Sequence, residues 1–191
     1  MELSDETAVA RARAGDADAF RVLVERHSHP LFRLAFRMTG NEQDAEDMVQ
    51  ETLLRAYRRL DRFDERASFR TWLYRIAVNC SLDLVRLRKR RSEFAGPVNP
   101  DMDDPLASLP APGPTPDRMA MSEQARSRIA VALEELSVSE KTAFVLRHFE
   151  NLCIEDVSRV MECRPGAARH SVFRAVQKLR RALKPLVSTA R

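Results

Sequence analysis

Aromatic side chains make up only 6% of the 191 residues, and glycine occurs five times. Sheet proteins lean on aromatic and β-branched residues, so this stock, rich in Ala, Arg, Glu and Leu, favours helices instead. No apolar run approaches the roughly 18 residues that a membrane span requires. The opening stretch, MELSDETAVA, is acidic and lacks the basic-then-apolar plan of a secretory leader, which predicts a soluble, cytoplasmic protein. Cys80, Cys153 and Cys163 form no C-x-x-C pair and no disulfide framework; they are expected as small buried or half-buried thiols. Four scattered histidines offer no metal-ligand spacing, and no phosphate-cradling glycine loop or nucleophile constellation is present. The expectation is a protein with no cofactor, no metal, no catalytic site and no small-molecule substrate.

What the chain does have is patterned charge. The formal net charge is +4. Residues 1–92 carry 18 bases and 15 acids, residues 93–120 one base and five acids, and residues 121–191 13 bases and eight acids. Glu42 to Glu51 holds five acids and no base, Arg70 to Arg91 seven bases against Asp83 alone, and Arg164 to Lys184 seven bases and no acid. Two separate basic stretches, each with an apolar periodicity of its own, point to nucleic acid. An acidic helix beside them points to a second kind of partner.

The segment 93–120 contains seven of the ten prolines and no periodic apolar pattern, and reads as a flexible acidic linker. It separates two small helical domains, 1–92 and 121–191, so the fold class is all-α. In the first, Ser4 or Asp5 caps a short helix ending at Gly15 and Asp16 caps a second, which Pro30 should kink or split. Gly40 ends the second and Asn41 caps a third, whose Ala45, Met48, Val49, Thr52, Leu53, Ala56, Tyr57 and Leu60 keep helical spacing. Ser68 caps a fourth, with Trp72, Leu73, Ile76, Ala77, Cys80, Leu84 and Leu87 on its apolar face. In the second domain Ser122 opens a helix ending near Leu136. Ser137 and Glu140 form a capping box for a helix through Phe149, and a short helix covers Ile154 to Met161. Pro165 begins a basic helix to about Leu183, with Val172, Phe173, Val176 and Leu179 facing inward. A short helix, a tight turn and a basic helix make a helix-turn-helix pattern.

Two stretches carry a family resemblance. DAEDMVQETLLRAYRRLDRFDERASFRTWLYRIAVNCSLDLVRLRKRR, Asp44 to Arg91, resembles region two of the extracytoplasmic-function class of bacterial sigma factors. LEELSVSEKTAFVLRHFENLCIEDVSRVMECRPGAARHSVFRAVQKLRRAL, Leu133 to Leu183, resembles region four of the same class. The resemblance implies a promoter-specificity subunit whose partners are core RNA polymerase, promoter DNA and an anti-sigma factor. It implies polymerase docking through Asp44, Asp47, Gln50, Glu51 and Arg55, a carboxylate-rich face able to pair with basic groups and set orientation.

The resemblance further implies that the loop after residue 60 and the next helix read the minus-ten element and hold a base that has left the stack. Phe63, Asp64, Arg66, Ser68 and Phe69 furnish that loop, and Asn79 presents a donor and an acceptor to the non-template strand. Trp72 fits either the core or a stacking surface. Arg86, Arg88, Lys89, Arg90 and Arg91 suit phosphates upstream. In region four the resemblance places Arg169, His170, Phe173 and Arg174 toward the major groove of the minus-thirty-five element, with Phe173 either touching a thymine methyl or lying in the core. Lys178, Arg180 and Arg181 suit phosphates. An apolar groove formed by the other helices should meet the polymerase flap. Asp101, Asp103 and Asp104 of the linker either occupy basic surface later claimed by RNA or belong to a passive tether.

The sequence departs from the family pattern at Cys153, where a hydroxyl cap is usual, and at Glu162, where glycine is usual. It departs again at Ala167 and Ala168, where threonine and valine are common, and in the order of Arg169, His170 and Ser171. Two rival readings are a stand-alone helix-turn-helix regulator and a helical nuclease. The first leaves the acidic helix and the loop before Ser68 unused; the second needs carboxylates converging on a metal, whereas these acids spread along one helix.

Overall fold

The computed structural model describes residues 3–94, 131–133 and 135–188, with side chains described as far as 87 in the first stretch and 184 in the last. Every regular element among them is helical. α1 is Asp5–Arg13, α2 Ala17–Thr39, α3 Glu42–Arg58 and α4 Phe69–Phe94, with a single 3₁₀ turn, Leu60–Arg62, between α3 and α4. α5 is Val138–Phe144, α6 Ile154–Val160 and α7 Pro165–Ser188. The expected linker 93–120 and most of the helix expected from Ser122 lie outside the described residues.

The starts of these helices follow local chemistry. The Ser4 hydroxyl accepts from the Thr7 amide at 3.3 Å, the Asp16 carboxylate from Ala19 at 3.1 Å, and the Asn41 side chain from Asp44 at 2.9 Å. Ser68 caps α4 through the Thr71 amide at 3.1 Å. Each side chain satisfies an amide that the first helical turn leaves without a partner. Ser137 and Glu140 form the reciprocal capping box. Gly40 ends α2 in the left-handed region at φ 71°, its amide bonded to the Phe36 carbonyl at 2.8 Å.

Three expectations need correction. Of the kink or split expected at Pro30, the split does not occur: α2 runs unbroken from Ala17 to Thr39. Leu23, His27, Leu31 and Leu34 are buried on both sides of the proline, and this continuous stripe holds the helix together across the missing amide. The helix from Ser137 does not stay regular to Phe149; after Phe144 it widens into a π-type turn, Val145–Phe149. Cys153 is exposed, not buried: its sulfur takes the capping position of α6 and accepts from the Asp156 amide at 3.4 Å. It thus fills the role of the missing hydroxyl.

The two helical units share one core. Leu31, Leu34, Leu73, Tyr74 and Ala77 of the first unit belong to the same buried cluster as Leu146, Leu152, Val157, Val160 and Ala168 of the second. A smaller cluster joins Ala132, Leu133 and Leu136 to Ala175 and Leu179 of α7.

Candidate nucleic-acid and partner interfaces

α3 buries Ala45, Met48, Thr52 and Ala56, and so turns Glu42, Glu46, Asp47 and Gln50 outward. Asp44 is half-buried at the first turn. Glu51 and Arg55 are also half-buried and bonded to each other at 2.5 Å, and this bond holds the Arg55 guanidinium above its ordinary pKa. Arg55 reaches Asp83 of α4 at 3.8 Å, and Asp83 reaches Arg86 at 3.7 Å. The result is a charged chain, Glu51–Arg55–Asp83–Arg86, that ties α3 to α4.

Beside this chain runs an apolar cleft of about 250 Å³, lined by Met48, Cys80, Leu84 and Leu87 and rimmed by Asp47, Glu51, Arg55 and Asp83. Burial pushes the Cys80 thiol up, so it stays protonated there. Leu84 and Leu87, expected on the apolar face of the fourth helix, instead line this surface cleft, and Asp83 beside them had no assigned role in the sequence. Their signal was an isolated acid in a basic stretch, next to leucines at i+1 and i+4.

The loop after α3 is built on aromatic rings. Phe63, Phe69 and Trp72 pack with centroids 5.3 to 5.8 Å apart, and His27 meets Phe69 at 5.3 Å. Phe63 and Phe69 are buried. Their rings support the loop and are not presented as stacking surfaces, which differs from the expectation for Phe63. Trp72 resolves as a core residue at 9% exposure, with an edge lining the cleft outside. Arg13 of α1 fastens the loop by donating to the Leu60 carbonyl at 3.0 Å and to the Phe63 carbonyl. The exposed Asp64 and Arg66 pair with each other at 3.3 Å, and Ser68 spends its hydroxyl on capping α4.

One turn apart on α4, Arg75 and Asn79 are both exposed. They line a cleft of about 280 Å³ with Arg55, Arg59, Arg62, Trp72, Ile76 and Glu162. A neighbouring hollow of about 330 Å³ is lined by Arg62, Phe63, Asp64, Arg66, Ala67, Thr71, Trp72, Arg75 and Arg159. Guanidinium groups around an apolar edge and an amide suit a sugar-phosphate strand with unstacked bases. Arg59, Arg62 and Arg75 were not singled out in the sequence; Arg75 lies one helical turn from Asn79, and folding brings Arg59 and Arg62 beside the pair. The side chains of Arg88, Lys89 and Arg90 lie outside the described residues.

On α7 the buried Ala168, Ala175 and Leu179 fix the inner face, and Arg169, His170, Phe173 and Arg174 are exposed together. Phe173 is 60% exposed, which corrects its inward placement, whereas Val172, expected inward beside it, does pack against the core. Lys178 differs from the others. It bonds the Glu140 carboxylate at 2.7 Å and holds that carboxyl below its ordinary pKa, so it braces the capping box of α5. The turn before α7 contains Glu162 at φ 51°, a left-handed conformation that costs a non-glycine residue some strain. Among the described residues no group of three or more His, Cys, Asp or Glu stands close enough to hold a metal ion, and no helix is long and apolar enough to cross a membrane.

The family model for Sigma-70 region 2 matches residues 23–91, and that for Sigma-70, region 4 matches residues 126–179. RNA polymerase sigma-H factor of Pseudomonas aeruginosa is 32% identical over 191 residues, covering 97% of both chains. ECF RNA polymerase sigma-E factor of Escherichia coli is 32% identical over 192 residues, again covering 97% of both. Among solved structures, CnrH in complex with the cytosolic domain of CnrY matches at TM-score 0.69 and 26% identity, covering 95% of this chain and 97% of that one. The sigma factor RpoE in complex with the anti-sigma factor NepR, from Bartonella quintana, matches at TM-score 0.68 and 25% identity, covering 86% of this chain and 96% of that one.

Proposed function

Because the chain belongs to the extracytoplasmic-function RNA polymerase sigma factors, we propose that its two helical units divide promoter recognition between them on core RNA polymerase in the cytoplasm. The observation that carries this reading is that both sigma regions match in one chain, in order, with relatives covered over 97% of their length. A stand-alone helix-turn-helix regulator accounts for the second match only.

In this reading the exposed acids of α3 and the adjoining apolar cleft dock the polymerase. Asp47 and Gln50 supply polar contacts; Leu84 and Leu87 supply apolar area, each buried side chain contributing about 1.5–3 kcal/mol when fully covered. Glu51 and Arg55 position the face by bonding to each other. The cleft of Arg59, Arg62, Arg75 and Asn79 receives the minus-ten strand after melting. The arginines neutralise phosphates without choosing sequence, and the Asn79 amide meets a base edge. Arg169, His170, Phe173 and Arg174 face the major groove of the minus-thirty-five element. An arginine there can bond guanine O6 and N7 together, and Phe173 can touch a thymine methyl.

The factor carries no reaction of its own; the polymerase supplies the chemistry. An anti-sigma factor is the expected antagonist, as in the solved complex of the Bartonella quintana protein. The test is reconstitution with core RNA polymerase. Initiation at discrete sites that depends on this chain supports the assignment, whereas binding to DNA without the polymerase, at the same sites and with the same footprint, supports the stand-alone regulator.

A further inference from the structure

Arg13, the last residue of α1, spends its guanidinium on one distant loop. Its Nε donates to the Leu60 carbonyl at 3.0 Å, one terminal nitrogen donates to the Phe63 carbonyl, and the other pairs with the Glu65 carboxylate at 2.9 Å. The same group lies 5.7 Å from the centre of the Phe63 ring. These partners stand 47 to 52 residues further along the chain. A planar fork with donors in fixed directions serves three acceptors only when all three are held at matching positions.

Both ends of this tie are defined. α1 buries Ala8 and Val9, and Arg11 pairs with Asp16 at 2.6 Å, which fastens the end of α1 to the start of α2. On the loop side, Glu65 stands at φ 60°, a left-handed conformation that a non-glycine residue keeps where its surroundings impose it. The Arg66 amide bonds the Asp64 side chain at 3.3 Å, a turn that is local to the loop. The Arg13 contacts set where that turn sits on the molecule.

Arg13 works from behind the loop. The hollow in front is lined by Arg62, Phe63, Asp64 and Arg66 together with Thr71 and Trp72, and no residue of α1 lines it or the adjoining cleft of Asn79. The residues that reach the hollow thus come from a stretch of backbone that Arg13 holds at Leu60, at Phe63 and at Glu65.

We infer that Arg13 is a positioning residue for promoter melting: from α1 it holds the loop of residues 60–68 in the shape that takes an unstacked base, without touching DNA itself. The inference rests on the assignment of the loop and its hollow to the minus-ten strand. A loop set before the strand arrives gives up less freedom on binding. It also meets only a base that fits it, whereas a loop released at Phe63 and Glu65 shifts to accommodate others.

The test uses the full chain assembled with core RNA polymerase. This complex selects from forked DNA whose unpaired strand is randomised across the minus-ten segment, and sequencing of the bound and free pools gives the base preference at each position. The wild-type protein should prefer one base at an unpaired position. Arg13→Ala should flatten that preference about tenfold, with affinity for core polymerase and for an intact upstream duplex unchanged. Arg13→Lys keeps a cation beside Glu65 but brings one donor group to three acceptors, and should flatten the same preference by less. Arg11→Ala loses an ion pair at the same helix end, with Asp16 and not with the loop, and should keep the wild-type preference. Each variant is assayed below its own denaturation midpoint.

A wild-type preference retained in Arg13→Ala overturns the positioning role; if Arg13→Ala does not fold, a wild-type preference retained in Arg13→Lys overturns it. Equal flattening by Arg11→Ala also overturns it, because the effect is then a general loosening of α1. A wild-type protein with no base preference in the unpaired strand overturns the assignment of the loop and hollow, and the inference with it. Binding of the chain to core polymerase, read in the same assay, keeps the sigma-factor role separate from that failure.

Discussion

Asn79 and Arg75 stand one turn apart on the exposed side of α4, above a floor made by Trp72 and Ile76. The amide and the guanidinium thus share one cleft while the apolar residues between them hold the helix in place. Replacing Asn79 with Ala removes an exposed polar group, and its stability cost should stay within about 0.5 kcal/mol. Open-complex formation should fall more than closed-complex formation, because the amide is assigned to unpaired DNA. Permanganate reactivity of the melted thymines checks this, and wild-type reactivity would contradict the assignment.

Asp47 is exposed on α3, whereas Glu51 is tied to Arg55. Asp47→Lys should therefore weaken binding to core polymerase without loosening the fold. Glu51→Lys should do both, because it leaves Arg55 beside a second cation. Binding titrations at two salt concentrations, paired with thermal denaturation, separate the two effects. Equal affinity for Asp47→Lys and wild type would remove this face from the interface.

Arg169 and Arg174 are five residues apart on α7, about 140° around the helix axis, so they cannot read one base pair from one point. Arg169 is nearer the helix start and is expected to read a base. Its replacement by Ala should cost about 1–3 kcal/mol and relax preference at a single position. Transcription from a library randomised in the upstream element measures this. Unchanged preference at every position, with lower output, would make Arg169 a phosphate contact. Phe173→Ala should leave stability nearly untouched, because the ring is 60% exposed.

His27 is buried, with its Nε2 2.9 Å from an Asp5 carboxylate oxygen. Burial lowers its pKa below the ordinary 6.5 despite that neighbour. The unfolded chain then takes up a proton at a pH where the folded chain does not. Stability is full above 6.5 and falls as pH drops from there through the lower folded value. Denaturation midpoints should decline over that window, and His27→Gln should flatten the decline. A flat wild-type profile would contradict the account.

The caps at Ser4, Asp16, Asn41, Ser68 and Ser137 were legible because each is settled within three residues of chain. The exposed set Arg169, His170 and Arg174 was legible for the same kind of reason, since helical phase alone separates it from Ala168 and Ala175. What the sequence hid depends on distant partners. Arg62 and Arg75 become a cleft only when α4 packs beside the loop, and Phe63 becomes core only because Phe69 and Trp72 close over it. Pro30 looked like a break because propensity is local, while the stripe that carries α2 through it is tertiary. Lys178 looked free for phosphate until α5 brought Glu140 to it.

The central claim is that this chain confers promoter choice on RNA polymerase. Its most direct measurement is transcription by core enzyme on a fragmented genomic template, with and without the protein, followed by mapping of RNA 5′ ends. The account predicts a small set of start sites that appear only when the protein is added, each preceded by two shared short elements at a constant spacing. An unchanged pattern of starts, with the protein bound to DNA but not to the core enzyme, would contradict it.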